Sequence, residues 1–244
     1  AYALARTGGN YVDKKELAVI SQRAENNYCG VNCGIMDQFA SANGKRGHAV
    51  LLDCATLDFE YIPLDLKNCV LVLSNCNKPH NLVESKYNER RTEVDSALKL
   101  LRKQIDANDL AHIQPYLLEE HRTLLTPLLY RRAHHVVSEC DRVRRSVEAL
   151  QDGDLERFGR ILNESHKSLK EDYEVTGKEL DALAEAAQKH PECLGSRMTG
   201  AGFGGCTVSL VRKTGVEDFI AKVGKEYREK IGYDASFYVA EVSE

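Results

Sequence analysis

Asp37 and Glu25 are acidic residues placed where a carboxylate could do chemistry. Asp37 follows Gly30 and Gly34 and is expected in the first turn of a short helix, next to a glycine-lined surface. A carboxylate there could orient a hydroxyl group and accept its proton, although an aspartate in a first turn often serves only the helix dipole. Glu25 lies near the end of the preceding helix, where a negative charge opposes the dipole. This position indicates either a use such as metal binding or a solvated side chain.

Tyr87 is followed by Arg90 and Arg91 on the first turns of another predicted helix. A tyrosine beside two cations could bind a sugar or a phosphate group. A core tyrosine with a pair of solvated arginines is at least as common an arrangement. The residue types alone leave both interpretations open.

A glycine-rich segment contains the pattern G-x-G-x-x-G, formed by Gly200, Gly202 and Gly205, with Gly204 between the last two. A dinucleotide fingerprint needs a strand before the glycines and a helix after them. Here residues 206–211 predict a strand and residues 193–197 predict turns, which argues against that fingerprint. The glycines would let the backbone come close to a ligand or to another loop, or they would simply form a tight bend that closes a sheet.

The elements that must position these residues follow from hydrophobic periodicity. Leu17, Ile20, Ala24 and Tyr28 predict the buried stripe of a helix that Gly30 ends. A capping box is predicted at Thr176 and Glu179. Strands are predicted at 47–54, 59–64, 69–77, 206–211 and 235–242, and helices around 34–40, 87–101, 133–150, 155–170 and 216–227. A further helix is predicted to begin at Thr176.

This order has too few β-α-β alternations for a doubly wound sheet, so we expect an α+β fold with helices packed on an antiparallel sheet. A domain boundary is expected near residues 63–67, between the predicted hairpin and the strand that begins at residue 69. The sequence begins with Ala1, and residues 1–9 are typical of the end of an apolar helix closed by Gly8 and Gly9. We therefore expect the chain to begin in the middle of a fold.

Composition limits the function classes. The 33 basic and 37 acidic residues give a net charge of -4, which does not indicate a nucleic-acid or anionic-membrane surface. No apolar run approaches the about 20 residues that span a bilayer, and no signal peptide is visible, so a cytoplasmic protein is expected. The eight cysteines are expected to be buried thiols rather than disulfides or zinc ligands.

Taken together and in order, several segments resemble the galactokinases of the GHMP small-molecule kinase family. The matching segments are residues 24–39 (AENNYCGVNCGIMDQF), 47–54 (GHAVLLDC), 75–91 (NCNKPHNLVESKYNERR), 164–181 (ESHKSLKEDYEVTGKELD) and 195–211 (GSRMTGAGFGGCTVSLV). The resemblance implies a GHMP-kinase-like α+β fold. Residues 1–66 would be the remaining part of a ribosomal-protein-S5-like N-terminal domain, and residues 67–244 a ferredoxin-like C-terminal domain with extra helices.

The resemblance also implies an activity, which is transfer of the ATP γ-phosphoryl group to the C1 hydroxyl of galactose, with Mg²⁺. It implies that Asp37 is the catalytic carboxylate facing that hydroxyl and that Gly34 and Tyr87 contact galactose. Glu25 would be a Mg²⁺ ligand. The nucleotide phosphates would lie against Gly200, Gly202, Gly204 and Gly205.

The family's first two motifs, a sugar-binding segment and a serine-rich phosphate loop, do not occur in this sequence, so the chain alone is expected to be inactive. Galactose and ATP are the expected partners of a monomer that binds neither nucleic acid nor membrane. A non-catalytic galactose-sensing relative, an N-acetylgalactosamine kinase and a plain ferredoxin-like interaction module remain as alternatives.

Overall fold

The computed structural model describes residues 2–9, 12–30, 32–78 and 83–240, with the side chains of residues 2, 5 and 83–85 left aside. The chain forms two compact units, of which the first extends to Asp65 and the second begins at Leu66. Residues 79–82 of the segment containing Tyr87, and residues 241 and 242 of the last predicted strand, lie outside the described residues. Each unit is described by itself below.

The first unit consists of three short α-helices and a hairpin. Its elements in chain order are α1 (Tyr2–Thr7), α2 (Lys14–Ala24), a π-helix (Glu25–Cys29), α3 (Met36–Asn43), β1 (His48–Leu52) and β2 (Phe59–Pro63). The two strands pair antiparallel, with His48 opposite Pro63, so the predicted hairpin is confirmed. Ala18, Ile35 and Phe39 form the buried core, against which the hairpin packs its apolar side chains.

The predicted stripe of α2 is wrong in all but its first residue. Leu17 is buried together with its neighbour Ala18, whereas Ile20 is 45% exposed and Tyr28 is 94% exposed. The packed face is centred between residues 17 and 18, so Ile20 is turned away from it. Beyond Ala24 the chain widens into the π-helix, whose i→i+5 hydrogen bonds interrupt the 3.6-residue period on which the prediction depended. The helix does end at Gly30 in the left-handed conformation, as predicted.

The second unit contains a four-stranded sheet and most of the helices. Its elements in chain order are β3 (Cys69–Asn75), α4 (Val83–Leu101), α5 (Pro115–Glu120), α6 (Pro127–Gln151), α7 (Leu155–Ser168) continued by a π-helix (Leu169–Tyr173), α8 (Gly177–Lys189), β4 (Cys193–Thr199), β5 (Cys206–Arg212), α9 (Val216–Ile231) and β6 (Ser236–Ala240).

The sheet has the strand order β4-β5-β3-β6, and every neighbouring pair is antiparallel. The unbroken apolar run of β3 suits a strand with neighbours on both sides, and Val72 at its centre is fully buried. With helices between β3 and β4 and α9 between β5 and β6, the topology is the ferredoxin-like β-α-β-β-α-β arrangement with additional helices. The fold class predicted from the sequence is therefore confirmed.

Among the described residues, the two largest hydrophobic clusters of the second unit involve most of its helices. One lies between the sheet and helices α8 and α9 and includes Leu183, Phe219 and Tyr227. The other lies among α4, α5 and α6 and includes Leu101 and Leu118. The first cluster includes Val175, and Phe203 of the glycine-rich segment packs against this cluster.

Residues 193–197 form strand β4, although the sequence predicted turns there. Gly195 suggested a turn, but its role is a close helix contact. A Cβ atom on Gly159 of α7 would lie 2.2 Å from the carbonyl oxygen of Leu194, and a Cβ atom on Gly195 would lie 1.9 Å from the carbonyl oxygen of Gly159. The strand can therefore approach the helix only because both residues are glycines.

Two further expectations are wrong. Thr176 has helical backbone angles and makes no capping hydrogen bond, so the predicted capping box does not form. The carboxylate of Glu179 instead accepts a hydrogen bond from Lys78 Nζ at 3.1 Å.

No disulfide joins any of the eight cysteines, as expected, but only Cys69 and Cys76 are buried.

Candidate functional site

Glu25 and Asp37 line a single cavity of about 740 Å³ in the first unit. The cavity lies along α2 and α3, which pack against each other, and α1 closes one side. Asp37 is in the first turn of α3, and Glu25 begins the π-helix that continues α2. The other lining residues are Ala3, Lys14, Leu17, Ser21, Gln38, Ser41 and Ala42. The structure thus brings together the two carboxylates that the sequence analysis selected separately.

Cys33 connects the two carboxylate-bearing helices, a role that its position in the sequence did not indicate. Its thiol lies 3.3 Å from Glu25 Oε2 and 3.2 Å from Asn26 Oδ1, and it accepts a hydrogen bond from Gln38 Nε2 at 3.6 Å. Burial and the hydrogen bond to Glu25 raise the pKa of the Cys33 thiol, which keeps it protonated as a donor. The eight-residue separation from Glu25 follows no local pattern, so no motif in the sequence indicates this contact.

The cavity has the donor set that Mg²⁺ prefers. Two carboxylates and the hydroxyls of Ser21 and Ser41 present oxygen atoms, and Gln38 Oε1 is buried with no hydrogen-bond partner. Within the described residues no group of three or more His, Cys, Asp or Glu side chains could hold a metal ion. Because Mg²⁺ is usually held by one or two carboxylates together with substrate phosphates, the cavity fits such an open site rather than a protein cage.

Gly34 lies on the segment that precedes α3, in the same unit. It is exposed, and a Cβ atom placed on it would meet no atom within 4 Å. It is not one of the residues that line the cavity. The structure therefore provides open space at Gly34 but no contact that defines a role for it.

The glycine-rich segment of the second unit is the loop of a hairpin. It connects β4 to β5, which pair up to Thr199 and Cys206, so a strand follows it where a dinucleotide fingerprint would need a helix. Gly200, Gly202 and Gly205 have φ values of 80°, 83° and 86°, which favour glycine.

The loop contacts the backbone that precedes α8. Phe203 N–H donates a hydrogen bond to the carbonyl oxygen of Val175 at 2.6 Å. A Cβ atom on Gly202 would lie 2.3 Å from that same oxygen. Gly202 is therefore required for this close approach, whereas a Cβ atom on Gly200 or Gly205 would meet nothing within 4 Å.

Tyr87 lies at the same corner of the second unit as this loop. Its neighbour Lys86 places Nζ 5.5 Å from the centre of the Phe203 ring. Burial raises the pKa of the Tyr173 phenol, and the nearby Tyr87 raises it further. Tyr87 is half-buried, and its surroundings combine aromatic rings with basic side chains.

The two arginines after Tyr87 differ from each other. Arg91 is exposed and pairs with Asp95 at 3.5 Å, as expected for a solvated side chain. Arg90 is nearly buried, and its Nε donates to the carbonyl oxygen of Tyr173 at 2.8 Å. The alternative of a solvated arginine pair therefore does not hold for Arg90.

None of the helices in the described ranges combines the length and the apolar character needed to cross a bilayer. That finding agrees with the absence of a long apolar run in the sequence.

Comparison with known families gives two matches that together cover more than half of the chain. The model of the GHMP kinases N terminal domain matches residues 1–45, which include the cavity carboxylates. The model described as GHMP kinases C terminal matches residues 146–229, which include the glycine-rich loop.

Curated relatives and a solved structure point in the same direction. The galactokinase of Limosilactobacillus reuteri (strain DSM 20016) is 49% identical over 95% of this chain and 59% of its own length. The galactokinase of Lactiplantibacillus plantarum is 49% identical over 99% of this chain and 63% of its own length. The structure of Lactococcus lactis galactokinase complexed with galactose is 45% identical, has a TM-score of 0.96, and matches 98% of this chain and 62% of that one. The chain thus spans about three fifths of the length of these proteins.

Proposed function

The chain belongs to the GHMP kinase family, and from that premise we propose that the whole protein is a galactokinase. It would transfer the ATP γ-phosphoryl group to the C1 hydroxyl of galactose and release galactose 1-phosphate. The similarity to curated galactokinases and to a galactokinase solved with galactose supports this substrate. The observation that carries the proposal is the cavity that both Glu25 and Asp37 line.

Asp37 is the catalytic carboxylate in this proposal. It lies on the wall of the cavity at the start of α3, where the helix dipole favours a negative charge. It accepts a hydrogen bond from the C1 hydroxyl, orients the oxygen towards the γ-phosphorus, and takes up the proton as the new bond forms. Because the transition state of phosphoryl transfer is loose, alignment of the two reactants contributes more than removal of the proton.

Glu25, with the hydroxyls and the unpartnered Gln38 oxygen around it, would hold Mg²⁺. When bound, the ion supplies positive charge that neutralises the phosphate oxygens. Cys33 and Gln38 keep the Glu25 carboxylate beside α3, because the Cys33 thiol contacts both Glu25 Oε2 and Gln38 Nε2. The protein's contribution here is to fix one carboxylate while leaving space for phosphate and water.

Gly34 and Tyr87 are proposed as galactose contacts, and Gly200, Gly202, Gly204 and Gly205 as the backbone against which the ATP phosphates lie. Positive φ values along the loop, Gly204 included, support the second part, because successive amides in such turns can bind anionic oxygens. For Tyr87, the partly buried position of its side chain beside basic residues supports a contact with the sugar.

The test is Asp37→Asn in the whole protein, compared with Asp58→Asn as the matched control. Asp58 is in the same unit but its side chain is 84% exposed, 4.0 Å from Lys15, and outside the cavity. Loss of the proton acceptor should lower kcat for galactose phosphorylation by about 10² or more, with KM for galactose changed far less. The control should keep wild-type kinetics.

Near-normal turnover by Asp37→Asn would contradict the role of that carboxylate. The wild-type protein should also be assayed for ADP formation with galactose, N-acetylgalactosamine and glucose. A clear preference for N-acetylgalactosamine, or galactose binding without turnover, would replace the proposed reaction by a different sugar kinase or by a sensor.

A further inference from the structure

Two arginines cap the end of the π-helix Leu169–Tyr173, which lies directly before Val175, the residue that contacts the glycine-rich loop. The last carbonyl groups of a helix have no partner within the helix. Here the carbonyl oxygen of Asp172 accepts from Arg132 Nη1 at 2.5 Å, that of Tyr173 from Arg90 Nε at 2.8 Å, and that of Glu174 from Arg90 Nη2 at 3.4 Å. Three consecutive carbonyls of the π-helix end are thus held by guanidinium groups, which also suit the negative end of the dipole.

The next carbonyl holds the loop. Val175 O accepts the Phe203 N–H bond and lies against Gly202. The position of this oxygen is set by the backbone of Glu174, which has φ 56° and ψ 49°. This left-handed conformation is unfavourable for a residue with a side chain, so other contacts must maintain it.

Besides the Arg90 contacts with the backbone, the Glu174 carboxylate makes two such contacts. Arg132 Nη2 donates to Glu174 Oε2 at 2.6 Å, and Arg131 Nη2 donates to Glu174 Oε1 at 3.3 Å. The Arg132 side chain is 1% exposed, and its Nε donates to Glu93 Oε2 at 2.6 Å. Arg90 reaches the same Glu93 oxygen at 3.1 Å.

The shifted pKa values of Arg132 and Glu174 keep both groups charged at neutral pH. Burial alone would lower the pKa of Arg132, but its hydrogen bonds with Glu93 and Glu174 outweigh burial and raise it. The hydrogen bond from Arg132 lowers the pKa of Glu174. A buried guanidinium is tolerable only when its donors are satisfied, and its planar fork joins α4, α6 and the π-helix in one geometry.

We propose that Glu174, held by Arg132, is a positioning residue that keeps the glycine-rich loop in its nucleotide-binding shape. The inference rests on the proposed function of that loop. Without its carboxylate anchored, residue 174 relaxes from the left-handed conformation, Val175 O moves away from Phe203 N–H, and the loop loses its attachment. The affinity for ATP should then fall, while galactose binding should change little.

A purely structural ion cluster is the competing explanation, and the chain offers a matched control. Glu164 accepts from Arg145 Nη2 at 2.6 Å, with a side chain that is 48% exposed, compared with 43% for Glu174. This pair joins α6 to α7 and touches neither Val175 nor the loop. Glu164→Gln therefore removes a similar ion pair without affecting the loop attachment.

The experiment compares Glu174→Gln with Glu164→Gln in the whole protein by hydrogen exchange and by kinetics. Loss of the charged hydrogen bond should speed exchange of the Phe203 amide about tenfold and raise KM for ATP about threefold or more, while KM for galactose stays within about twofold. The control should leave all three values near those of the wild type. Arg132→Lys, which keeps the charge but loses the fork, should shift them in the same direction as Glu174→Gln.

Unchanged Phe203 exchange in Glu174→Gln would overturn the inference, as would equal acceleration in the control. Hydrogen exchange needs no activity, so it decides the positioning role even if galactose is not phosphorylated. In that case the missing activity would count against the proposed function alone.

Discussion

His135 is a buried histidine whose environment fixes its protonation. Ser168 Oγ donates its proton in a hydrogen bond to Asp172 Oδ2 at 2.8 Å. The same oxygen lies 3.0 Å from His135 Nδ1, and because its proton is already used, the imidazole N–H is the donor in this second hydrogen bond. The ring also stacks on Tyr173, with 4.5 Å between centres. Burial lowers the pKa of His135 to about 4, because the attraction of Glu139 and Asp172 does not offset it and Arg142 and Arg197 act in the same direction as burial.

This histidine predicts a pH dependence of stability. In the unfolded chain its pKa is about 6.5, so between pH 6.5 and 4 the unfolded state binds more protons than the folded state. The contribution of the neutral His135 to the free energy of unfolding is fully present above pH 6.5. As the pH falls towards 4, this contribution is lost, and the free energy of unfolding decreases by up to about 3 kcal/mol. His135→Asn should be less stable at pH 7 but should show a flatter dependence between pH 7 and 5. Urea unfolding at several pH values in this range measures the free energy of unfolding of both proteins. If the two free energies changed with pH in parallel, the prediction would be contradicted.

Residues with a local motif could be found from the sequence, and residues that act through distant partners could not. Glu25 and Asp37 were selected because their glycine and helix-end contexts are local, and both line the cavity. Arg132 meets Glu93 across 39 positions and Glu174 across 42. The sequence of its own helix does not distinguish Arg132 from several basic surface residues. Its two partners come together only when α4, α6 and α7 pack.

At the scale of elements, the contact between α7 and β4 depends on the facing glycines at 159 and 195. In most helices a glycine-to-alanine change stabilises by about 0.5 to 1 kcal/mol. Gly159→Ala should instead destabilise by about 2 kcal/mol or more, because the new methyl group would have to displace the Leu194 carbonyl. Chemical denaturation gives the change in unfolding free energy.

Gly224→Ala in α9 is the comparison for that change. The nearest atom to a Cβ there is a ring carbon of Phe237 at 3.2 Å, and a side chain can shift more easily than a strand backbone. Its effect should be clearly smaller. Equal effects of the two substitutions would mean that the helix–strand approach is not limited by these glycines.

Elements with strong periodicity were predictable, and elements shaped by contacts were not. Strand β3 and helices α4 and α9 follow their apolar patterns. Strand β4 was missed because Gly195 is typical of a turn, yet it is present for close packing against α7. The buried stripe of α2 was misplaced because no local pattern announces a π-helix.

At the scale of the whole molecule, the two units differ in how much core each contains. The second unit, from Leu66 onward, has a four-stranded sheet and extended clusters on its helices. The first has a smaller core, centred on Ala18, Ile35 and Phe39, and a two-stranded sheet. The α+β class could be predicted from the order of elements. The strand order could not, since it depends on ladder partners far apart in the chain.

Residues 66–244 expressed alone should therefore fold cooperatively, whereas residues 1–65 alone should not, because a small unit with a two-stranded sheet buries too little apolar surface. Circular dichroism with urea titration of each piece tests this. A cooperative transition in the smaller piece, or its absence in the larger one, would show that the cores do not act independently.

The hairpin form of the glycine-rich loop has an entropic consequence. Its ends are joined by the Thr199–Cys206 pair, Gly205 O accepts from Cys76 N–H, and Phe203 is tied to Val175. An unattached stretch so rich in glycine would have many conformations to give up when it met a ligand. In this chain folding has already removed most of these conformations. The entropic cost of ordering the loop is therefore part of the free energy of folding and does not weaken the binding of the ligand.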